Sequence, residues 1–381
     1  MNIRLLSIFS LTFIPLLDFA QTPSATEIKP VFISRDTVQI NGKISSIASL
    51  DTLTKKIVLF KRQQEEEKLY NEGLSALTDK RNQDAVSAFT KVLQLNRDFI
   101  KAISGRATAY NEMKQFKDAL DDLDMVTSKD SLNEIAFLTK ANIKFGLNKK
   151  DEAETDYSKV LKINSNNSKA YFYRGEIRFG KENFKEAVTD FNMAIILDPS
   201  NGLAYNDRGS AKRKLNDFKG AVDDYTKAIE LQPTQAFIYN NRGSTQVKLK
   251  ALEEAIADFS LAINIDPKNY LSYNNRGNTK FEKEDFAGAL KDFDKTIELK
   301  PDYAYAYNNR ASAKYKLKDY KGSLEDCNKA IELNKEYGYA YLNRGIAKEL
   351  LRDQKGACSD WQTAAKLGVK SAETYMNQDC E

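Results

Sequence analysis

Residues 273–302 read YNNRGNTKFEKEDFAGALKDFDKTIELKPD, and this arrangement of residue types recurs along the chain at a constant step. Gly277 lies 34 residues after Gly243, which lies 34 residues after Gly209. The step continues in both directions without an insertion, so that nine copies occupy residues 66–371. One small residue, which we call the marker, stands at the same place in each copy: Gly73, Ala107, Ala141, Gly175, Gly209, Gly243, Gly277, Ala311 and Gly345. Self-similarity of this period predicts a stacked repeat architecture.

Each copy has the pattern of two amphipathic helices of about a dozen residues. A second small residue follows the marker by twelve positions, a bulky one follows it by sixteen in most copies, and an apolar or aromatic one precedes it by four. Spacings of three and four place such residues on one helix face. Proline cannot continue a helix, so the second helices are predicted to end before Pro199, Pro233, Pro267 and Pro301. A lone helix pair could not bury these faces, and each copy therefore needs its neighbours.

This order of small, aromatic and proline positions at a step of 34 resembles the tetratricopeptide repeat. The resemblance extends over residues 66–371 of the 381. It implies an all-α fold, a right-handed superhelical solenoid of antiparallel helix pairs, in which the first helices line a concave groove. One position departs from the family pattern, because Arg stands directly before the marker where a large apolar residue is expected.

The departure is itself periodic. Arginine precedes the marker at Arg106, Arg174, Arg208, Arg242, Arg276, Arg310 and Arg344, and Lys140 takes this place in the third copy. The second helices of the same copies carry Asp122, Asp156, Asp190, Asp224, Asp258, Asp292, Asp326 and Asp360. The first copy has Glu72 and Ala88 instead and so lacks both partners. We therefore predict Arg–Asp pairs that fix how the helices register, and the joint loss favours pairing within a copy over pairing with the next one.

The N-terminal region differs from the repeats. Residues 1–20 combine Arg4 with a short apolar run and end on a small residue, which predicts a secretory signal peptide; the alternative is a plain apolar tail. Export into the periplasm or the medium of a bacterium would follow. Residues 21–65 are predicted to form an extension with a β-hairpin that turns at Asn41-Gly42, followed by a helix. No later segment is long and apolar enough to span a membrane.

Composition argues against catalysis. The chain contains no histidine, which removes the commonest general base near neutral pH and a common metal ligand. It also has no CxxC pair, no phosphate-binding glycine loop and no nucleophile elbow. Its net charge of +4 comes from 58 basic and 54 acidic residues spread along every segment, which does not favour nucleic acid. We expect neither an enzyme nor a requirement for a metal or cofactor.

Three cysteines occur near the C-terminus. Cys327 takes a core position that is aromatic in most copies and reads as a small buried apolar residue. Residues 372–381 form a short amphipathic segment that we expect to cap the open end of the array. A Cys358–Cys380 disulfide could hold this cap in an exported protein, and two free thiols are the alternative.

Asparagine forms two columns on the first helices. Three residues before the marker stand Asn206, Asn240, Asn274 and Asn308, and two residues before it stand Asn241, Asn275, Asn309 and Asn343. An amide side chain both donates and accepts hydrogen bonds, so these columns could bind an extended peptide backbone in the groove. They resemble the asparagine ladder in the repeat domain of the transferase that adds N-acetylglucosamine to Ser and Thr. The alternative is that Asn is only a polar residue that the helix tolerates.

The predicted groove changes character towards the N-terminus. In copies three and four it carries apolar candidates, Leu138, Phe145, Phe172, Tyr173 and Phe179. We therefore interpret the chain as a non-catalytic scaffold that binds an extended segment of a protein partner of unknown identity. The rival interpretation is a structural protein that associates with itself and leaves the groove without a peptide.

Overall fold

A computed structural model describes residues 28–380, and the predicted signal peptide lies outside these residues. The described chain divides into two compact units at the boundary between Ile163 and Asn164. The first unit contains copies one to three, and the second contains copies four to nine. Among the described residues, no helix combines the length and the apolar character that crossing a membrane requires.

The predicted helix pairs are confirmed. The first helices of the copies are α1 (Thr52–Thr78), α3 (Ile100–Glu112), α5 (Glu134–Gly146), α7 (Ser168–Gly180), α9 (Gly202–Lys214), α11 (Ala236–Lys248), α13 (Tyr270–Glu282), α15 (Ala304–Lys316) and α17 (Gly338–Leu350). The second helices are α2 (Asn82–Leu95), α4 (Phe116–Lys129), α6 (Lys150–Ile163), α8 (Phe184–Leu197), α10 (Phe218–Leu231), α12 (Leu252–Ile265), α14 (Phe286–Leu299), α16 (Tyr320–Leu333) and α18 (Gln354–Lys366). Within each unit, successive helices pack antiparallel on one another.

The marker residue is small because an aromatic ring lies directly over it. A Cβ atom added to Gly277 would come within 2.7 Å of the Phe293 ring, which is fully buried. The marker and the bulky residue sixteen positions later thus form one contact, in which a ring of the second helix fills the space left by the first. The same contact recurs in the six copies whose marker is glycine, whereas copies two and eight carry Leu123 and Cys327 at the ring position.

A tight turn links the helices of each copy. The turn at Glu284-Asp285 has Glu284 in the left-handed region, with φ of 65°, and Asn216 has φ of 63° in the equivalent turn. Asp285 then caps α14, because its side chain accepts a hydrogen bond from the backbone N–H of Gly288. A Cβ atom at Gly288 would collide with this carboxylate, which explains the glycine three residues after the cap.

The N-terminal extension is a three-stranded antiparallel sheet in the order β1-β2-β3. Its strands are β1 (Val31–Phe32), β2 (Thr37–Ile40) and β3 (Lys43–Ser46), followed by a 3-10 helix at Ile47–Ser49. The predicted hairpin at Asn41-Gly42 is confirmed, since both residues have positive φ and Ile40 pairs with Lys43. The sheet packs Val38 against Val58 of α1, and α1 runs without a break through the boundary predicted at 65/66.

The C-terminal segment forms α19 (Ser371–Asp379), which packs on the last helix pair. Trp361 of α18 stacks on Tyr375 with ring centroids 5.2 Å apart. Cys358 and Cys380 are joined by a disulfide, with 5.7 Å between their Cα atoms. Cys327 is buried and has no disulfide, and burial raises the pKa of its thiol to about 12.

Candidate functional site

The Arg–Asp pairs hold the two helices of a copy together. In the sixth copy, Arg242 Nε and Nη2 donate to the two carboxylate oxygens of Asp258 at 2.8 and 2.7 Å. Asp258 is only 3% exposed, and the hydrogen bond to it raises the pKa of Arg242. The Tyr239 ring lies 6.0 Å from the guanidinium, one helical turn earlier. A planar, forked cation is what this two-point contact requires, which accounts for the departure from the family pattern.

The prediction that the pairing lies within a copy is confirmed. Asp accepts from the Arg sixteen residues before it at Asp122, Asp190, Asp224, Asp258, Asp292, Asp326 and Asp360. The third guanidinium nitrogen reaches the preceding copy as well: Arg242 Nη1 donates to Thr226 and Arg276 Nη1 to Ser260. One side chain therefore fixes both the pair and the stacking of one copy on the next.

The first helices form one face of the second unit. Neighbouring first helices contact one another along this unit, while neighbouring second helices lie further apart. The side nearer the first helices is therefore the inner side of the stack. Residues at the third and second positions before the marker lie on this side, so both Asn columns are part of one surface.

The two Asn columns are hydrogen-bonded to each other. We call Asn206, Asn240, Asn274 and Asn308 the first Asn row, and Asn241, Asn275, Asn309 and Asn343 the second Asn row. Each Nδ2 of the second row donates to the Oδ1 of the first-row residue 35 positions earlier, at 2.9 to 3.1 Å. Every bond joins one copy to the next, so the amides have fixed orientations.

The hydrogen bonds between the two Asn rows, which we call the interlock, leave other hydrogen-bonding groups on the surface. Asn206, Asn274 and Asn308 are buried, whereas all four residues of the second row are half-buried. Within the described chain, the Oδ1 atoms of the second row accept no side-chain hydrogen bond. Each of these amides thus presents an acceptor, and at Asn241, Asn275 and Asn309 an additional N–H, at a regular step along the inner side.

A further row, which the sequence reasoning missed, flanks the asparagines. Exposed apolar residues stand six positions before the marker in five successive copies: Leu203, Phe237, Leu271, Tyr305 and Tyr339. A spacing of three and four residues puts them on the same helix face as both Asn rows. Tyr305 is half exposed and rests against Tyr337, with ring centroids 4.8 Å apart. The step of 34 was the signal that could have revealed this row.

In the copy before the second Asn row begins, a carboxylate occupies the position of that row. Asp207 occupies the second-row position of the fifth copy and accepts a hydrogen bond from Asn206 at 2.9 Å. Burial raises the pKa of Asp207 to about 6 despite this bond. Burial also raises the pKa of Glu176 to about 7, and the charge of Asp207 adds to the shift.

The apolar candidates do not form a single described surface. Leu138 and Phe145 are half-buried residues of the first unit. In the second unit, Phe172 is buried against Phe191 and belongs to the core, so it offers almost no surface to a ligand. Tyr173 and Phe179 are half-buried, and the Phe179 ring lies edge-on to the Phe184 ring, with centroids 5.4 Å apart.

Family models match most of the repeat region. The model of the tetratricopeptide repeat protein 21 C-terminal ARM domain matches residues 50–202. A TPR repeat model matches residues 209–250 and 277–318, and a tetratricopeptide repeat model matches residues 238–269 and 304–337. The chain is a tetratricopeptide repeat protein. This fold is typical of protein–protein interaction scaffolds, and proteins built from it are generally not catalytic.

Solved structures share the fold. A tetratricopeptide repeat protein from Parabacteroides merdae is 16% identical, covers 65% of this chain and 99% of its own, and has a TM-score of 0.52. The C-terminal part of a TPR repeat-containing protein from Cytophaga hutchinsonii is 19% identical, with 61% and 97% covered and a TM-score of 0.52. YrrB, described as a TPR protein with an unusual peptide-binding site, is 27% identical over 48% of this chain and 95% of its own, with a TM-score of 0.44. A comparison with curated proteins finds no significant match.

Proposed function

We propose that this tetratricopeptide repeat protein binds an extended peptide segment of a partner protein along the inner side of its second unit. The observation that carries the proposal is the interlock of the two Asn rows. A bond such as Asn275 Nδ2 to Asn240 Oδ1 fixes each amide before any ligand arrives, so binding does not have to order these side chains. The free acceptors repeat at the step of the copies, which suits the repeating donors of an extended backbone.

The apolar row supports the same proposal. Leu203, Phe237 and Leu271 are each about 40% exposed, and together with the more exposed Tyr305 and Tyr339 they form a row of apolar side chains on the helix face that carries the amides. Recognition of an extended peptide has two elements: polar groups that bind its backbone and apolar surfaces that bind its alternate side chains. The amides and the apolar row supply these two elements side by side. An exposed apolar row of this kind also costs solubility, which a binding role would explain.

The proposal is tested with random dodecapeptides selected by phage display on the full-length protein. The affinity of one enriched peptide is then measured by fluorescence anisotropy for the wild type and for Asn241→Ala, Asn275→Ala and Asn309→Ala combined. Loss of three hydrogen bonds of about 1 kcal/mol each predicts a fall in affinity of at least tenfold. N-methylation of the peptide backbone should weaken binding in the same way.

The matched control removes three exposed glutamates from the second helices. Glu230, Glu298 and Glu332 form ion pairs with lysines three residues earlier and lie away from the inner side. Changing them to Ala should leave peptide affinity unchanged. Failure to enrich any peptide, together with a mass that grows with concentration in light scattering, would instead favour self-association.

We also propose that the protein acts after export, in the periplasm or outside a bacterial cell. The Cys358–Cys380 disulfide supports this, because disulfides persist in oxidising compartments. Cell fractionation with N-terminal sequencing of the native protein tests it. A cytoplasmic protein that retains Met1 would refute export.

A further inference from the structure

A cavity opens on the inner side of copies seven to nine. Its volume is about 200 Å³, and its lining is Phe281, Ser312, Tyr315, Lys316, Ser323, Asn343 and Ile346. A cavity of about 150 Å³ already accepts a molecule of the size of benzene. The space therefore suits one apolar side chain and is too small for a cofactor or a folded element.

Two aromatic side chains that line the cavity are packed against further aromatic rings. Phe281 lies edge-on to Phe286, with centroids 5.2 Å apart, and Tyr315 packs on Tyr320 at 5.9 Å. In each case the ring of the first helix rests on the ring that begins the second helix of the same copy. The wall is thus formed by rigid elements, and a ligand would find the cavity already open.

The amide at the cavity edge is also fixed. Asn343 Nδ2 donates to Asn308 Oδ1 at 2.9 Å and to Ser312 Oγ at 3.2 Å. Both of its N–H groups are used in this way, which leaves Oδ1 as its remaining hydrogen-bonding atom. The last member of the second Asn row therefore offers an acceptor to a backbone N–H next to the cavity.

Ile346 makes this cavity different from the equivalent places in the preceding copies. The residue directly after the marker is polar in the four copies before it, at Ser210, Ser244, Asn278 and Ser312. Among copies five to nine, the ninth alone places an aliphatic side chain there, and in the described chain this side chain, Ile346, lines the cavity together with Phe281 and Tyr315. Such a change is expected where a ligand buries an apolar group, since apolar surface gains most from leaving water.

A cation stands at the rim. Lys316 is exposed, its ammonium lies 6.0 Å from the Tyr315 ring centroid, and no ion pair to it is found in the described part of the chain. One copy earlier the same repeat position carries Glu282, which is paired with Lys250. A positive charge without a partner beside an apolar cavity complements a ligand that carries a carboxylate next to an apolar side chain.

From these contacts we propose that this cavity is the side-chain subsite of the bound segment, and that it takes an aliphatic residue adjacent to an Asp or Glu that pairs with Lys316. The inference rests on the proposed function and names the sequence class of the partner. The acidic group is a side chain within the segment, because the second Asn row leads the backbone past the cavity edge at Asn343.

The experiment compares selections of random dodecapeptides displayed without a free C-terminus on four variants and the wild type. Wild-type selections should enrich Leu, Ile or Met next to Asp or Glu. Lys316→Glu should replace the acidic preference with a basic one, whereas Lys248→Glu, at the same repeat position two copies earlier, should not. Ile346→Ser introduces the residue type that the preceding copy has at the equivalent position, Ser312, and should abolish the aliphatic preference. Ile346→Leu should keep this preference.

Affinities of synthetic peptides complete the test. We expect Lys316→Glu to weaken an enriched acidic peptide by about tenfold, and a Glu-to-Lys change in the peptide to restore most of the loss. Circular dichroism melting of each variant establishes that it is folded. If peptides are enriched and depend on the Asn rows but lack the aliphatic–acidic pair, the subsite is refuted and the proposed function stands. If no peptide is enriched, both are refuted.

Discussion

The third and sixth copies each have a buried aspartate at the equivalent position, but different cations bind it. In the sixth copy one guanidinium, from Arg242, binds both oxygens of Asp258 and also reaches Thr226 of the preceding copy. In the third copy Lys140 stands in the place of the arginine, and its one ion pair within the described residues is with Asp124 of the preceding copy, at 2.5 Å. The aspartate of that copy, Asp156, is held by Lys144 instead, at 2.8 Å.

This difference shows what the recurring arginine does. An ammonium makes a point contact, so Lys140 reaches Asp124 alone, whereas one forked guanidinium binds the aspartate of its own copy and the preceding copy at once. The contact of Lys144 is common to most copies, because Lys212, Lys280, Lys314 and Lys348 pair with the equivalent aspartates beside the arginines. The sixth copy, in turn, has Gln246 where the third has Lys144, and among the described residues Arg242 is the cation that pairs with Asp258. Loss of a single group should therefore have unequal consequences in the two copies.

The largest effect is expected for Asp258→Ala. It leaves the largely buried Arg242 without its anion, and breaking a buried pair in this way costs about 3–5 kcal/mol. Asp156→Ala should cost less, about 1–2 kcal/mol, because Lys144 keeps Glu152 at 3.4 Å. Hydrogen exchange of α11–α12 and of α5–α6 measures the local free energy of opening in each copy. Equal losses in the two copies would contradict the comparison.

A smaller effect on the free energy of unfolding is expected from pH at Asp207, which stands where the second Asn row would otherwise continue. The raised pKa values of Glu176, about 7, and Asp207, about 6, lie above their unfolded values of 4.5 and 3.8. The folded state therefore binds more protons between about pH 4 and 7, and the free energy of unfolding falls as pH rises through this window.

Asp207→Asn tests this pH dependence and extends the second Asn row by one member. Its melting temperature should exceed that of the wild type at pH 8 and equal it below pH 4, where both carboxyl groups are protonated. Asp223→Asn serves as the control, since Asp223 is exposed on α10. A parallel shift of the Asp207→Asn melting temperature at every pH would show that the charge is not responsible.

The smallest effect is expected when the third copy is converted towards the sixth. Lys140→Arg supplies a fork that can bind Asp156 while still reaching Asp124, as Arg310 does with Asp326 and Asp294. We expect a gain of about 1 kcal/mol in the stability of α5–α6. Lys150→Arg, an exposed change in the same copy, should add nothing. A destabilised Lys140→Arg variant would show that the lysine is required there.

Much of the fold was predictable because the copies repeat without an insertion. The helix pairs, the hairpin at Asn41-Gly42 and the Arg–Asp pairs within a copy all follow from residue types at fixed separations. The interlock between Asn275 and Asn240 did not, since a separation of 35 becomes a contact only when one copy is stacked on another. Equally, Phe172 reads as a surface residue from its spacing, but the ring of Phe191 covers it.

By itself, the sequence determined the period, the class of fold and the cation–anion pairing, because these depend on backbone geometry and on contacts within one helix pair. Only the tertiary structure decided which amides are already bonded to each other, which aromatic rings lie in the core and where a cavity remains. The bonds between amides and the cavity depend on the small offset between neighbouring copies, and the burial of a ring depends on how the two helices of a copy face each other; a separation counted along the chain contains neither.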